Sequence, residues 1–459
     1  MERVKEPLIH ITRRDSMPLW KSLLIRFGAI LVALVISAIF ISASAPSSHG
    51  FFDYFASLFS GAFGTERRIW ILLQNTALLL CVALALVVAF KMRFWNLGGN
   101  GQVLIGCLAC AVCMYYLGGK LPDALVCIIM FVASVAAGAV WAVIPAVFKA
   151  FFNTNESLFT LMMNYIAMYL VAFFIAFWYP NGTGAMPPLT DANLPALGDG
   201  QMGRSLLTIL VAVLVTALIF CYLRFSKHGY EIAVVGESQN TARYAGINVR
   251  KVIIRTLVLS GALCGLVGFL LVGSINHMVS TNMDDNMGFT GIMVAWMGKF
   301  NPLIMAGVSL FINFLSRGMA QVCTDFGFTS EALSDIVVGL IYFFFIGCEF
   351  FISYKVHFNF PKQKGRAAPA FSMDAASEKG GAPSEAAGHA PAGGEPPAEG
   401  QPPADVVRHS FDGALPEGLG MPNGKSSAEA VSPRAAGDVP EGAQLPVGTA
   451  PGENAKEDA

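Results

Sequence analysis

Residues 224–255 read RFSKHGYEIAVVGESQNTARYAGINVRKVIIR, a polar and basic interruption between two long apolar runs. The flanks, residues 206–223 and 256–273, are each long enough to cross a bilayer as a helix. Inside the interruption sits a short helix signal, with Ser238 as N-cap, residues 239–245 as body and Gly246 as stop. A capped helix held at a membrane surface between two spans has the shape of a contact point for a soluble partner.

The composition agrees with a membrane setting. The 459 residues are 54% hydrophobic and 13% charged, against about 25% charged in soluble domains. The net charge of −1 leaves no bulk electrostatic case for nucleic acid. Spans are predicted at 25–42, 69–90, 103–117, 125–148, 158–178, 206–223, 256–273 and 336–352. Two shorter pieces, 289–297 and 303–315, flank Gly298-Lys299-Phe300-Asn301-Pro302. Ten helical residues reach only about 15 Å, so these pieces are expected to be half-helices meeting inside protein rather than lipid. The expected fold is all-α: a polytopic membrane protein of about 8–10 transmembrane helices with broken or half-helices. Residues 1–24 form a cytoplasmic N-terminal segment, 25–354 the transmembrane domain, and 361–459 a disordered cytoplasmic tail rich in Pro, Ala, Gly and Glu.

Arg13-Arg14, with Ala43-Ser44-Ala45 downstream, has the outline of a cleavable signal, but the charged lead-in is long for one. Residues 25–42 are therefore read as an uncleaved first helix. Orientation follows from Lys and Arg in short loops. Loop 224–255 carries six basic and two acidic residues, whereas loop 179–203 has no Lys or Arg and two Asp. The first is placed in the cytoplasm and the second outside. Counting outward puts the N-terminus and Lys149 inside, and the basic run 355–366 should join them. That needs an even number of crossings, so both short pieces count, giving about ten, with Lys299 facing the cytoplasm. The protein is placed in the cell (plasma or inner) membrane as a multi-pass protein with both termini cytoplasmic.

Chemistry is sparse. Cys107, Cys110 and Cys113 have a spacing that would suit an iron–sulfur or zinc site. Positions i, i+3 and i+6 also share one helix face, and no fourth ligand stands beside them, so they are read as a small-residue stripe and no metal is expected. Gly261, Gly265 and Gly268 make a second such stripe, and Ala133, Ser134, Ala137 and Gly138 a third, all suited to close helix approach in lipid. No Ser/His/Asp or Cys/His constellation and no Walker A loop is present. The chain is not expected to be an enzyme or to bind a cofactor; if ATP drives it, another subunit holds the ATP.

Polar side chains at membrane depth should face a bundle interior or a cavity. They are Asn75 in the second span, Asn96, Asn100 and Gln102 before the third, Asn164 in the fifth, and Asn313 in the ninth. Amides donate and accept without charge, which suits a neutral polyhydroxylated or amide-bearing solute. They also suit helix–helix hydrogen bonding, and both readings stand at this point. Asp, Glu or His chains that would mark an ion path are missing from the spans; Glu349 is the one acid well inside a span, near its end. The breaker FWNLGGNGQ, residues 94–102, frees backbone groups that must point at protein, water or solute.

These residues resemble a permease subunit of the ATP-binding-cassette importers for simple sugars and nucleosides. Trp95-Asn96-Leu97-Gly98-Gly99-Asn100-Gly101-Gln102 is similar to that family's F-N-I-G-x-E-G-Q, with Asn100 where the family has an acid. NESLFTLMMNYIA, residues 155–167, resembles N-E-x-I-x-T-L-M-x-N-Y-I-A. Residues 229–247 resemble G-x-x-x-R-A-V-G-x-N-x-x-A-A-R-Y-A-G-I, with Ala233 in place of Arg and Ser238-Gln239 in place of N-P. Residues 289–302 resemble F-x-x-I-A-V-A-L-L-G-x-x-N-P. The likeness runs from about residue 75 to 352 and leans toward the nucleoside-type subunit. It implies a path formed with a second permease subunit, ATPase subunits docked at the cytoplasmic loops, and an extracytoplasmic solute-binding lipoprotein, all in membrane lipid. Asn75, Asn96, Asn100, Gln102 and Asn164 would then line the path. Ser238, Arg243, Tyr244, Gly246 and Ile247 would form the coupling helix, with Arg243 as contact charge and Tyr244 and Ile247 as anchors.

Two other functions fit part of the sequence. A self-contained carrier or channel for a neutral solute also uses broken helices and midplane polar groups, but needs no capped helix facing a partner. A structural membrane subunit with a scaffold tail needs no Asn-lined breaker.

Overall fold

In the computed structural model, which describes residues 9–13, 18–44, 50–180, 186–189, 200–328 and 332–358, the apolar runs are helical. The predicted tail, residues 361–459, lies outside the described residues. The chain opens with a strand, β1 (Ile9–Arg13), and helix α1 (Leu19–Ser44). It continues through α2 (Phe51–Phe63), α3 (Glu66–Lys91), α4 (Gly99–Leu117), α5 (Asp123–Phe152) and α6 (Glu156–Trp178). Then come α7 (Gly200–Phe225), α8 (Lys227–Glu237), α9 (Gln239–Tyr244) and α10 (Val249–Leu270), the last extended by a π-helical stretch, Leu271–Asn276. Helices α11 (Met287–Met297), α12 (Pro302–Asp325) and α13 (Ala332–Ser353) lead to β2 (Tyr354–Phe358). Among the described residues nine helices are long and apolar enough to cross a membrane, and α11 is a shorter apolar helix. The protein is an all-α polytopic membrane protein.

Helix α3 is the axis of the bundle. Every residue from Ala77 to Phe90 is buried, and a helix apolar all round belongs in such an interior. The predicted small-residue stripes meet beside it. Ser134 and Gly138 of α5 face Gly261 and Gly265 of α10, and Gly106 of α4 closes the third side. A Cβ on Gly106 would stand 2.7 Å from the Gly265 Cα, so only glycine allows this approach. The Ser134 hydroxyl donates to the Gly106 carbonyl at 2.9 Å. Cys107 lies in the same seam, its Sγ 3.6 Å from the Gly268 carbonyl. Cys110 is buried and Cys113 half-buried. Among the described residues no group of His, Cys, Asp or Glu is arranged to hold a metal.

Three features correct or extend the sequence reading. Residues 303–315 are not a half-helix: α12 runs on to Asp325 and is long enough to span. Two polar residues beyond Leu315, Arg317 and Gln321, do not end it because each finds a partner on α3. Arg68 of α3 donates to Gln321 Oε1 at 2.7 Å. Next, α2 was not predicted. It is too short to span and packs on α12, where Leu58 meets Gly318 and the Tyr54 hydroxyl lies 3.2 Å from Met319 Sδ, and on α1, where the same hydroxyl lies 2.7 Å from Ser37 Oγ. Last, β1 and β2 pair antiparallel, Ile9 opposite Phe358, so both ends of the membrane domain emerge on one face.

That pairing constrains the crossings. Nine full spans alone would separate the two strands. The remaining traverse is made by α11 with the residues that precede it. Arg26 near the start of α1 and Lys299 after α11 both bind Glu349 near the end of α13, at 2.7 and 3.5 Å. Trp296 at the end of α11 stacks on Trp95, 5.4 Å between centroids, just past the end of α3. The end of α3 touches α8, where Gly236 lies against the Lys91 carbonyl. Thus α10 leaves, and α11 returns to, the face that carries α8, α9 and the paired strands. At the opposite end Met186 and Leu189 donate to the carbonyls of Val279 and His277 at 3.2 and 2.8 Å.

Candidate functional site: a clamped breaker, a polar cavity and a surface helix

The breaker between α3 and α4 is held by side chains rather than by helix hydrogen bonds. Asn96 is fully buried; its Oδ1 accepts from Gly98 N at 3.0 Å and from Gln102 Nε2 at 3.3 Å, while its Nδ2 donates to Ser260 Oγ at 3.2 Å. Asn164 of α6 bridges the same loop, accepting from Gly101 N at 2.8 Å and donating to the Leu97 carbonyl at 2.9 Å. Thr160 Oγ1, one turn earlier, accepts from Leu97 N at 3.1 Å. Asn100 reaches α11: its Oδ1 accepts from Gly288 N at 2.6 Å, and its Nδ2 lies 3.5 Å from Asn286 Oδ1. The structure therefore brings Asn96, Asn100, Gln102 and Asn164 together as one protein-bonded network joining α4, α6, α10 and α11. The glycines between them let the helices close on it.

Asn75 stands apart from that network. It lines a cavity of about 250 Å³ bounded by α3, α11, α12 and α13, with Asn313, Ser316 and Arg317 of α12, Thr290 of α11, Asp285 before α11, and Asp335 and Tyr342 of α13. With its amide oriented so that the oxygen faces the guanidinium, Asn75 accepts from Arg317 Nε at 2.9 Å and from Nη2. Asn313 Nδ2 donates to the Ser309 carbonyl at 3.0 Å. Asp285 and Asn286 adopt positive φ, 42° and 52°, an uncommon backbone for non-glycine residues and one often found at functional positions. Donors only (Arg317), acceptors only (the two carboxylates) and mixed groups (amides, hydroxyls) thus converge in a bundle that is otherwise apolar. This combination can hold a solute with several hydrogen-bonding edges.

The surface helix forms as the sequence predicts. Ser238 Oγ accepts from Thr241 N at 3.2 Å, capping α9. The exit has Gly246 at φ +77°; Gly246 N donates to the Arg243 carbonyl and Ile247 N to the Ala242 carbonyl, at 3.0 and 2.9 Å. Tyr244 is 92% exposed, and Arg243 is exposed, 3.4 Å from Asn240 Oδ1. Ile247 is half-buried against the chain's own core, so it anchors α9 from beneath. The preceding helix α8, capped by Ser226 and not predicted, braces α9. Arg255 Nη2 donates to Glu231 Oε2 of α8 at 2.9 Å, and this bond holds the Glu231 carboxyl below the usual range.

Residues 68–346 match the family described as branched-chain amino acid transport system / permease component. The chain belongs to that permease family. The permease is 28% identical over 356 residues to the guanosine ABC transporter permease protein NupP of Bacillus subtilis, covering 75% of this chain and 99% of that protein. It is 27% identical over 360 residues to the nucleoside ABC transporter permease protein NupB of Lactococcus lactis, 74% and 93% of the two chains. It is 26% identical over 380 residues to the glucose ABC transporter permease protein TsgB13 of Haloferax volcanii, 79% and 97% of the two chains.

Of the permease's cavity residues, sequence reasoning named Asn75 and Asn313 and missed Arg317, Asp285, Asp335, Thr290, Ser316 and Tyr342. Arg317 was the available signal. It follows an apolar run, lies inside α12 and turns to Asn75.

Proposed function

We propose that the permease forms the translocation path for a neutral polar solute, a nucleoside first and a simple sugar next, and that separate ATPase subunits drive it. The observation that carries this reading is the cavity at Asn75, Asn313 and Arg317. Its amides, hydroxyls and charged groups line one opening among apolar membrane-spanning helices, where each is expensive without a polar partner. The names of the relatives, which specify guanosine, nucleoside and glucose, support this solute class. In this reading Asn75 meets the solute, and Asn96, Asn100, Gln102 and Asn164 shape the path by fixing α4 and α11 beside it. Arg317, Ser316 and Asp285 are exposed in the single chain, which favours a second permease subunit closing the path against lipid.

The proposed coupling contact is α9, through Arg243 and Tyr244, with Ser238, Gly246 and Ile247 holding its shape. The excess of Lys and Arg around it supports a cytoplasmic position for that face and for both termini. An extracytoplasmic binding lipoprotein delivers the solute at the opposite end. The test is uptake of radiolabelled guanosine and glucose by vesicles carrying the assembled transporter, with and without the ATPase. Uptake that persists without the ATPase would instead mark a self-contained carrier, and ATP-dependent uptake of neither solute would remove the assigned substrate class.

A further inference from the structure

Behind α9 lies a second cavity, of about 370 Å³, lined by Lys149, Phe151 and Asn153 at the end of α5, Gln239 and Arg243 of α9, and Arg250 at the start of α10. None of its lining residues is acidic. Lys149 is already paired, 2.7 Å from Glu156, whereas Arg243 and Arg250 form no ion pair among the described residues. The Arg250 guanidinium lies over the Phe151 ring, 5.1 Å from its centroid. A groove lined by Arg243, Asn248 and Arg250 opens beside it.

The surroundings of this basic cavity are apolar. Phe151 is 55% and Phe152 70% exposed, and exposed Phe148, Leu158 and Met162 continue the patch along α5 and α6, two of the helices that span the membrane. The cavity sits where α5 ends and α10 begins, at the rim of the bilayer. Two guanidiniums lining one cavity beside an exposed aliphatic and aromatic face match a molecule that is anionic at one end and apolar along its length.

We infer that this cavity is a binding site for an anionic phospholipid. Arg250 holds its headgroup phosphate, and its acyl chains run down Phe148, Phe151 and Phe152 of α5 and Leu158 and Met162 of α6. The ligand wedges against the back of α9, so the lipid environment bears on the helix assigned to coupling. A soluble anion would use the arginines but not the phenylalanines, and an acidic protein surface would not reach down the spans. The site stands on the membrane fold and does not depend on which solute is carried.

The test reconstitutes the full chain in nanodiscs made from equal parts phosphatidylglycerol and phosphatidylcholine, then counts the lipids retained on extraction by native mass spectrometry. The wild-type protein is expected to retain phosphatidylglycerol preferentially. Arg250→Gln should lower the retained ratio about fivefold, the effect of one surface cation on an anionic lipid. Arg250→Lys should keep most of the preference. Gln239→Glu, which puts a carboxylate into the cavity and leaves Arg250 in place, should lower the ratio independently. Equal retention of the two lipids by the wild type would overturn the inference. So would displacement of phosphatidylglycerol by inorganic phosphate, which would mark a soluble-anion site. An Arg250→Gln variant with unchanged lipid ratio but weakened ATPase association would also overturn it, in favour of an acidic protein contact.

Discussion

Asn100 Oδ1 accepts the backbone N–H of Gly288 at 2.6 Å, so a side chain of α4 caps the first turn of α11 across 188 residues of sequence. The resembling family has an acid at this position, and Asn keeps the acceptor that the cap needs. Asn100→Leu should leave a buried N–H without a partner and cost about 1–3 kcal/mol, whereas Asn100→Asp should keep most of the stability. Thermal unfolding of the purified variants distinguishes them. Equal melting of the Leu and Asp variants would show that this bond does not hold α11.

Asn75 and Arg317 form a side-chain pair across the polar cavity. Asn75→Leu leaves the guanidinium without that acceptor and removes a polar edge from the proposed path. The expected result is normal insertion with KM for uptake raised about tenfold, the range for losing a hydrogen bond to a charged group. Concentration-dependent uptake measures it. An unchanged KM would move the solute site away from α3.

Tyr244 and Arg243 are exposed on α9, whose one buried residue is Ala242. Arg243→Glu and Tyr244→Ala are therefore expected to insert and melt like the wild type while solute-stimulated ATP hydrolysis is lost. Stimulation that survives in both variants would retire α9 as the coupling contact. Ile247→Ala should behave differently and lower the melting temperature, because that side chain packs against the core.

The Glu231–Arg255 pair ties α8 to α10. Its carboxyl is held below its ordinary value, so its contribution is present at neutral pH and is lost as pH falls through the lowered value. Glu231→Gln should thus melt earlier than the wild type at neutral pH, and the gap should close well below pH ~4, the ordinary carboxylate range. A gap that stays constant with pH would assign the effect to shape rather than charge.

Much was legible because it is local. A bilayer demands long apolar runs, so the spans can be read from composition alone. Ser238 and Gly246 write the limits of α9 into a few adjacent residues, and the glycine stripes mark where helices approach. The misreadings share one cause. Residues 303–315 read as a short piece, whereas α12 continues through Arg317 and Gln321 to Asp325, and a polar residue in a span has no meaning until its partner is known. Helix α2 is not evident in the sequence because its thirteen residues, with Asp53, Ser57 and Ser60 among them, fit no spanning template, and α12 gives them a surface to cover.

The sequence by itself determined a polytopic helical membrane protein with a breaker before α4 and a capped helix at its surface, since backbone hydrogen bonding in lipid and helix capping are short-range. Only the tertiary structure decided what the amides do. Asn96, Asn100, Gln102 and Asn164 find protein partners, some on helices far along the chain, while Asn75 turns toward Arg317 in an open cavity. An amide can satisfy itself on a neighbouring helix or on a solute equally well, and which of these it does is fixed by the helices that tertiary packing sets beside it.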